Sequence, residues 1–376
     1  MDDVMRRIEA LAERFAGERH DRQRRRELDR ADFDALAEAG FLRTGVPQEQ
    51  GGLFASLPRS TRGTAEILRV LAHGDSSVAL VASMHPAVLS FWLATPVAPE
   101  PHGEAWARQR AEVTRTALGG NWWGTITSEP GSGGDVTRTR TKARRGQDDR
   151  WLLSGQKHFG SGSGITSFMI TSAAPEGDDA PDWFFLDLRG VPWDGTAGVR
   201  LIAPWDGHGM IATQSHGMAF ESAPATRIAW PGSWKVIADA AGPFIGALFT
   251  AVIVGIAETA LATARAQLAA KKDTLGAYDR VELTRAEVDG FLIAQAYLGM
   301  LRAVETRPNA LRDVLLAKLA IAELAESLTG RLCRIMGGGS FARHSPFGFW
   351  FEDVRALGWL RPPWQLMHDS VFATAF

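Results

Sequence analysis

The sequence predicts an α+β fold in which an N-terminal helical part and a C-terminal helical bundle flank a compact β domain. Three observations carry this. Apolar residues recur at spacings of three and four through the first 118 residues or so, and again from about Val236 to the end. From Gly119 to Trp230 they give way to short alternating or β-branched runs separated by turn-formers, the pattern of a mainly antiparallel sheet. A chain of 376 residues also exceeds the size at which a single core keeps growing. The expected domains are residues 1–118, 119–232 and 233–376.

In chain order, Val4, Ile8, Leu11 and Phe15 mark the apolar side of a first helix. The basic run Arg22–Arg26 is surrounded by Glu18, Asp21, Glu27 and Asp29 and reads as a solvated face. Asp32–Leu42 is a short amphipathic helix closed by Gly40, and Val46–Leu53 is a proline- and glycine-marked turn. Helices follow at Ser60–His73 and Ser76–Leu93, the second capped by Asp75. His85 on that helix reads as a satisfied core residue, and Pro86 as a kink or a helix start. Pro96, Pro99, Pro101 and Gly103 break the pattern before a last helix at Glu104–Arg115.

Strands are expected at Thr125–Thr127, Thr137–Ala143, Trp151–Leu153, Phe168–Thr171, Trp183–Leu188, Val199–Ile202, His216–Phe220 and Thr226–Trp230. Beyond them, Val252–Ala270, Val281–Val304 and Ala310–Met336 predict most of a bundle. The apolar run Phe244–Ala257 is shorter than the ~20 residues of a membrane span and reads as a buried bundle helix.

Forty-one Lys and Arg stand against 43 Asp and Glu, a balance that argues against nucleic acid or a polybasic membrane surface as partner. The single cysteine, Cys333, excludes an internal disulfide and fits a reducing cytoplasm. The N-terminus shows no apolar signal-peptide core. His208 and His216 lack a metal-type partner set, so no metal site is expected. Thirteen tryptophans predict large buried or pocket-lining surfaces.

Chemistry concentrates in Thr125–Ser163. Thr127–Asp135 places Gly131, Gly133, Gly134 and Pro130 behind two hydroxyls, Thr127 and Ser128, so bare N–H groups can approach a flat or anionic ligand. Gly155–Ser163, after an expected strand at Arg150–Leu153, combines the ring of Phe159 with small hydroxylic residues such as Ser161. Ring and hydroxyls suit an aromatic cofactor, although two ordinary β-turns would have the same composition.

The elements SEPGSGGD (128–135) and LSGQKHFGSG (153–162), with Arg140–Ala143 between them, resemble the flavin-binding segment of the acyl-CoA dehydrogenase superfamily, which reads TEPxxGSD and GxKxWIT. The turn after Gly40 resembles that family's GLxxxxxPxxxGG opening, and Trp205–Pro224 its GMRGTxSxxVxFxxVxVP element. The resemblance spans nearly the whole chain. It implies an acyl-CoA dehydrogenase-like fold, bound FAD (FMN possible) and a homo-oligomer. Residue by residue, it implies that Thr127 and Ser128 contact the flavin, that Phe159 covers it, and that Ser161 lies near N5. Gly133 belongs to the same loop, and Gly134 replaces the family's serine. Arg334–Phe341 is similar to the QxxGGxGF loop, so Gly337 and Gly338 would meet the cofactor's pyrophosphate across a subunit contact; a glycine C-cap explains the same residues. For the arginine of RxxFG, Lys272 is the best match and Lys271 a register alternative.

The resemblance breaks at the base. Acyl-CoA dehydrogenation needs a carboxylate to take the proton α to the thioester. The family's C-terminal position falls on Arg361, and its second position near Ile245 or Gly246. The ending Arg361–Asp369 resembles the two-component flavin monooxygenases of the same fold, in which a histidine near the C-terminus helps to stabilise a C4a-peroxide; His368 is the match, and a helix-terminal histidine beside an exposed acid is the plain alternative. The catalytic candidates are therefore His368, Arg361 and Ser161. The reading favoured is a flavin-dependent oxidoreductase that oxygenates or oxidises a small organic substrate, with a flavin reductase or electron-transfer flavoprotein as partner. Two others stay open: an acyl-CoA dehydrogenase with a base relocated to Glu258, Glu352 or Asp369, and a catalytically silent flavin-binding paralogue.

Overall fold

The computed structural model describes residues 1–147 and 150–375. Six helices come first: α1 (Asp2–Gly17), α2 (Arg19–Arg22), α3 (Arg30–Glu38), α4 (Leu57–Gly74), α5 (Ser76–Leu93) and α6 (Gly103–Leu118). Seven strands follow: β1 (Trp123–Thr125), β2 (Lys142–Arg145), β3 (Trp151–Gly160), β4 (Phe168–Pro175), β5 (Asp182–Asp187), β6 (Val199–Ala203) and β7 (His216–Arg227). The chain ends in α7 (Trp234–Ala269), α8 (Ala277–Thr306), α9 (Leu311–Met336), α10 (Pro346–Val354) and α11 (Trp364–Ala373).

Local chemistry accounts for the boundaries. The Asp75 carboxylate accepts from Val78 N–H at 3.0 Å and starts α5 at Ser76, as expected. After α3 the chain turns through Gly40 at φ 91°. Pro86 neither starts nor splits α5; it sits inside it. His85 is the satisfied core residue expected. Its Nδ1 accepts from Trp123 N–H, its Nε2–H donates to the Leu42 carbonyl, and burial holds its pKa down to about 4.

The sheet runs β1-β4-β2-β3-β7-β5, with β6 on the outside of β7. Because β5 also pairs with β4, the strands β4, β2, β3, β7 and β5 close on themselves around Leu153, Met169, Phe184, Leu186 and Phe220. Among the strand pairs of the described residues, β1–β4 and β2–β4 are parallel and the others antiparallel.

Several strand limits differ from expectation. β1 covers Trp123–Thr125, not Thr125–Thr127, and Val136–Arg138 is a 3-10 turn, so β2 begins only at Lys142. β3 does not stop at Leu153: Gly155–Gly160 lies within it, because it pairs with β7 along its length. Thr226 and Arg227 end β7 rather than opening another strand.

The bundle is organised on α7, whose 36 residues far exceed the Phe244–Ala257 run. By length and hydropathy α5 and α7 could each cross a membrane, yet 94% and 78% of their most apolar stretches are buried within the fold. They are core helices. α7 lies so close to α4 that a Cβ on Gly255 would stand 2.2 Å from the Arg69 carbonyl oxygen. Gly255→Ala is expected to destabilise by about 1–3 kcal/mol, read as a lower urea midpoint with an unchanged m value.

Candidate functional site

The two quoted elements are laid side by side by one buried ion pair. Glu129 follows Ser128 in the glycine loop and Lys157 lies in β3; Nζ and Oε1 are 2.7 Å apart, with the Lys157 side chain fully inaccessible. Glu129 also accepts from Thr139 Oγ1 (2.5 Å) and from the N–H groups of Arg140 (2.6 Å) and Thr141 (3.1 Å). Lys157 donates to Thr139 Oγ1, Ser172 Oγ and the Thr127 carbonyl. Burial raises the Glu129 pKa, but its hydrogen bonds from Lys157 and Thr139 outweigh that and bring it to about 2. Burial dominates at Lys157, whose pKa falls to about 8. Both residues stand inside the motifs read from the sequence, and their opposite charges were the overlooked signal.

Above this pair, His158 N–H donates to the Ser128 carbonyl at 2.8 Å, and the β3–β7 register shifts between Lys157 and Gly160. In that irregularity Phe159 takes φ 58°, and its ring is turned outward, 58% exposed. Trp205 meets the ring edge-on, with centroids 6.0 Å apart. Ser161 follows, buried, with Oγ 2.8 Å from Ser215 Oγ. The structure thus gathers Thr127, Ser128, Phe159 and Ser161, and adds Trp205 and Ser215 from the Trp205–Pro224 element.

The tail reaches the same loop from the bundle. Gly134 takes φ 83°, and a Cβ there would lie 2.9 Å from Pro363 Cγ. That explains glycine where the family has serine. Gly133, at φ 62°, faces open space. Arg361 lies beside this contact. Burial lowers its pKa to about 10, against the pull of Asp135 and Glu129, and its Nε is sealed from solvent without a hydrogen-bond partner among the described residues. Lys318 on α9, fully buried, fixes the backbone on both sides of Arg361 by donating to the carbonyls of Leu360 (2.7 Å) and Pro362 (2.8 Å). Burial lowers the Lys318 pKa to about 7.

An outward aromatic face, positive-φ glycines open to approach and an unpartnered buried guanidinium nitrogen fit a planar anionic cofactor such as a flavin. Thr127, Ser128, Phe159, Ser161 and Arg361 would hold it.

Other candidates stand apart. His368 is exposed on α11 and stacked on Trp364. Lys272 is exposed in the α7–α8 connection, and Gly337 and Gly338 are exposed in the 3-10 turn after α9. None of these four shares a described hydrogen bond or ion pair with the glycine loop. The suggested relocated bases are engaged or outlying. Glu258 pairs with Arg69 (2.6 Å) and His73 (2.8 Å), Glu352 pairs with Arg355 (2.7 Å), and Asp369 is exposed.

The Glu129–Lys157 pair sets a pH limit. A carboxyl depressed from 4.5 to about 2 contributes stability that is complete above pH 4.5 and is lost as the pH falls towards 2. Glu129→Gln, which leaves a buried ammonium without its counter-charge, is expected to cost roughly 3–5 kcal/mol at neutral pH and to remove that acid-dependent component. Urea unfolding across pH 3–7 checks both.

Residues 124–223 match the family model "Acyl-CoA dehydrogenase, middle domain". The chain is 28% identical over 244 residues to dibenzothiophene monooxygenase of Mycolicibacterium goodii, covering 61% of this chain but only 54% of that protein. It is 26% identical to the amino sugar nitrososynthase DnmZ of Streptomyces peucetius, over 95% of this chain and 89% of that one. It is 29% identical to a probable FMNH2-dependent monooxygenase, SfnC, of Pseudomonas putida, over 68% and 59%. Among solved structures, KijD3 in complex with FMN and a dTDP-linked amino-keto sugar superimposes with a TM-score of 0.81 at 21% identity, over 99% of this chain and 92% of that one. TdsC of Paenibacillus sp. A11-2 with FMN and indole gives 0.76 at 20%, over 98% and 96%. At such identities these structures speak for the fold alone. The chain thus carries a β domain that matches the acyl-CoA dehydrogenase middle-domain model, set in the helical–β–helical fold of these solved structures.

Proposed function

We propose that this flavin-dependent oxidoreductase is the oxygenase component of a two-component monooxygenase. It takes reduced FMN from a separate flavin reductase and transfers one oxygen atom of O2 to a small organic substrate. Reduced flavin, O2 and substrate enter; oxidised flavin, water and the oxygenated substrate leave.

The tail is the observation that carries this reading. Arg361 stands where dehydrogenation calls for a carboxylate, and Glu258 and Glu352 are committed to ion pairs. A positive charge held beside a reduced flavin favours its anionic form. The printed names of the relatives support the same chemistry, two of them being monooxygenases. FMN is favoured over FAD because Lys272 supplies no bidentate fork for a pyrophosphate, and because the two solved structures above contain FMN.

A bound reduced flavin supplies the electrons that activate O2. The chain's own part is to hold it. Phe159 and Trp205 present aromatic surface, Ser161 presents its hydroxyl, and Arg361, fixed by Lys318, presents charge. We further propose a homo-oligomer, tetramer or dimer, with the Gly337–Ser340 loop near a subunit contact. Phe341 beside that loop is 98% exposed, and Val288, Phe291 and Leu298 leave one side of α8 apolar. A cytoplasmic location completes the proposal.

Under anaerobic conditions a simple acyl-CoA is expected to leave the bound flavin yellow, whereas reduced FMN and O2 together support turnover. Rapid bleaching by the acyl-CoA would instead identify a dehydrogenase. His368 is proposed as the tail's proton donor on the strength of the tail resemblance. His368→Ala is expected to raise hydrogen peroxide release per O2 consumed and to leave flavin affinity nearly unchanged.

A further inference from the structure

Behind Ser161 runs a line of three buried hydroxyls that ends on a carbonyl. Ser161 Oγ is 2.8 Å from Ser215 Oγ, which is 2.7 Å from Thr213 Oγ1, which is 2.8 Å from the carbonyl oxygen of Met210. All three side chains are buried. Each hydroxyl owns one hydrogen and the carbonyl none. Two oxygens rest this close only with a hydrogen between them. Thr213 must therefore spend its hydrogen on Met210, Ser215 must spend its own on Thr213, and Ser161 must spend its own on Ser215. Towards its remaining side Ser161 has only lone pairs.

The far end of the line is fixed. Met210 N–H donates to Asp353 Oδ1 at 2.6 Å, and Ser76 Oγ–H donates to Asp353 Oδ2 at 2.5 Å. Trp205 Nε1–H and Thr213 N–H also donate to the Met210 carbonyl, and Gly162 N–H donates to the Thr213 carbonyl at 2.7 Å, tying this loop to the turn that carries Ser161. Met210 and Gln214 sit at φ 50° and 48°, a strained path that these bonds hold in place.

We infer that Thr213 and Ser215 are positioning residues that lock Ser161 as a hydrogen-bond acceptor towards the flavin, so that the site selects the reduced cofactor. The inference rests on the reading that a flavin lies against Ser161. The N5 edge of an oxidised isoalloxazine carries a lone pair, and that of a reduced one carries N–H. A fixed acceptor is satisfied by the second and repelled by the first. An oxygenase that must capture reduced flavin from solution gains from this polarity, whereas a hydroxyl free to rotate would serve both states.

The test is an anaerobic titration with oxidised and with dithionite-reduced FMN, with FAD in parallel, giving a dissociation constant for each state. Reduced flavin is expected to bind more tightly to the unmutated protein. Thr213→Val removes the hydrogen that sets the direction, while the Met210 carbonyl keeps its donors from Trp205 and the residue-213 backbone. The ratio of oxidised to reduced dissociation constants should then fall about three- to tenfold, the worth of one hydrogen bond. Ser215→Ala should lower it in the same direction, and Thr213→Ser should restore it. A merely structural role would weaken both states together. An unchanged ratio in folded Thr213→Val and Ser215→Ala proteins overturns the inference while leaving the flavin reading intact. If the unmutated protein binds neither flavin in either state, the flavin reading itself falls, and this inference with it.

Discussion

The Glu129–Lys157 ion pair is the interaction on which the site's geometry depends. It joins the glycine loop to β3 at a point closed to water, where neither charge is tolerable alone. Its cost is offset because each partner is saturated: the carboxylate by four donors, the ammonium by the carboxylate and three further oxygens. Such saturation leaves little freedom of register. Once Lys157 is fixed, the irregularity at His158–Phe159 follows from the pairing with β7, and the outward turn of Phe159 follows from that.

The tail brings a further charge near the loop, that of Arg361, whose flanking backbone Lys318 holds. Lys318 and Arg361 have no direct carboxylate partner among the described residues: Lys318 holds backbone carbonyls, and Arg361 feels Asp135 and Glu129 through electrostatics without a hydrogen bond to either. A protein seldom leaves a buried guanidinium nitrogen unpaired unless something else is meant to meet it. The β domain supplies the aromatic face and the bundle supplies the positive charge, so neither domain makes the site by itself.

How much of this was legible in the sequence varies with range. α5 could be placed at both ends, because Asp75 caps it locally and its apolar run is continuous. The existence of α8 and α9 follows from their periodicity. The extension of β3 through Phe159 was hidden, since Gly155 and Gly160 look like turn residues until β7 is paired alongside. Lys318 was hidden more deeply. A lysine on an amphipathic helix reads as solvent-facing, and the carbonyls that hold it lie 42 and 44 residues further along the chain. The residues proposed to contact a flavin were read through resemblance; the electrostatics that orient them were legible in none of the local patterns.

Gly134 couples two regions more than two hundred residues apart. Its missing side chain is the space that Pro363 occupies, and its positive φ sets the direction in which the loop meets the tail. Residues 134 and 363 therefore form one mechanical unit, in which a change on either side must be answered on the other. A loop that carries a side chain at residue 134 would meet Pro363 Cγ at 2.9 Å, so it needs a tail that gives way at that point. The natural module for exchange is the loop and tail together, because exchanging either alone leaves residues 134 and 363 unmatched.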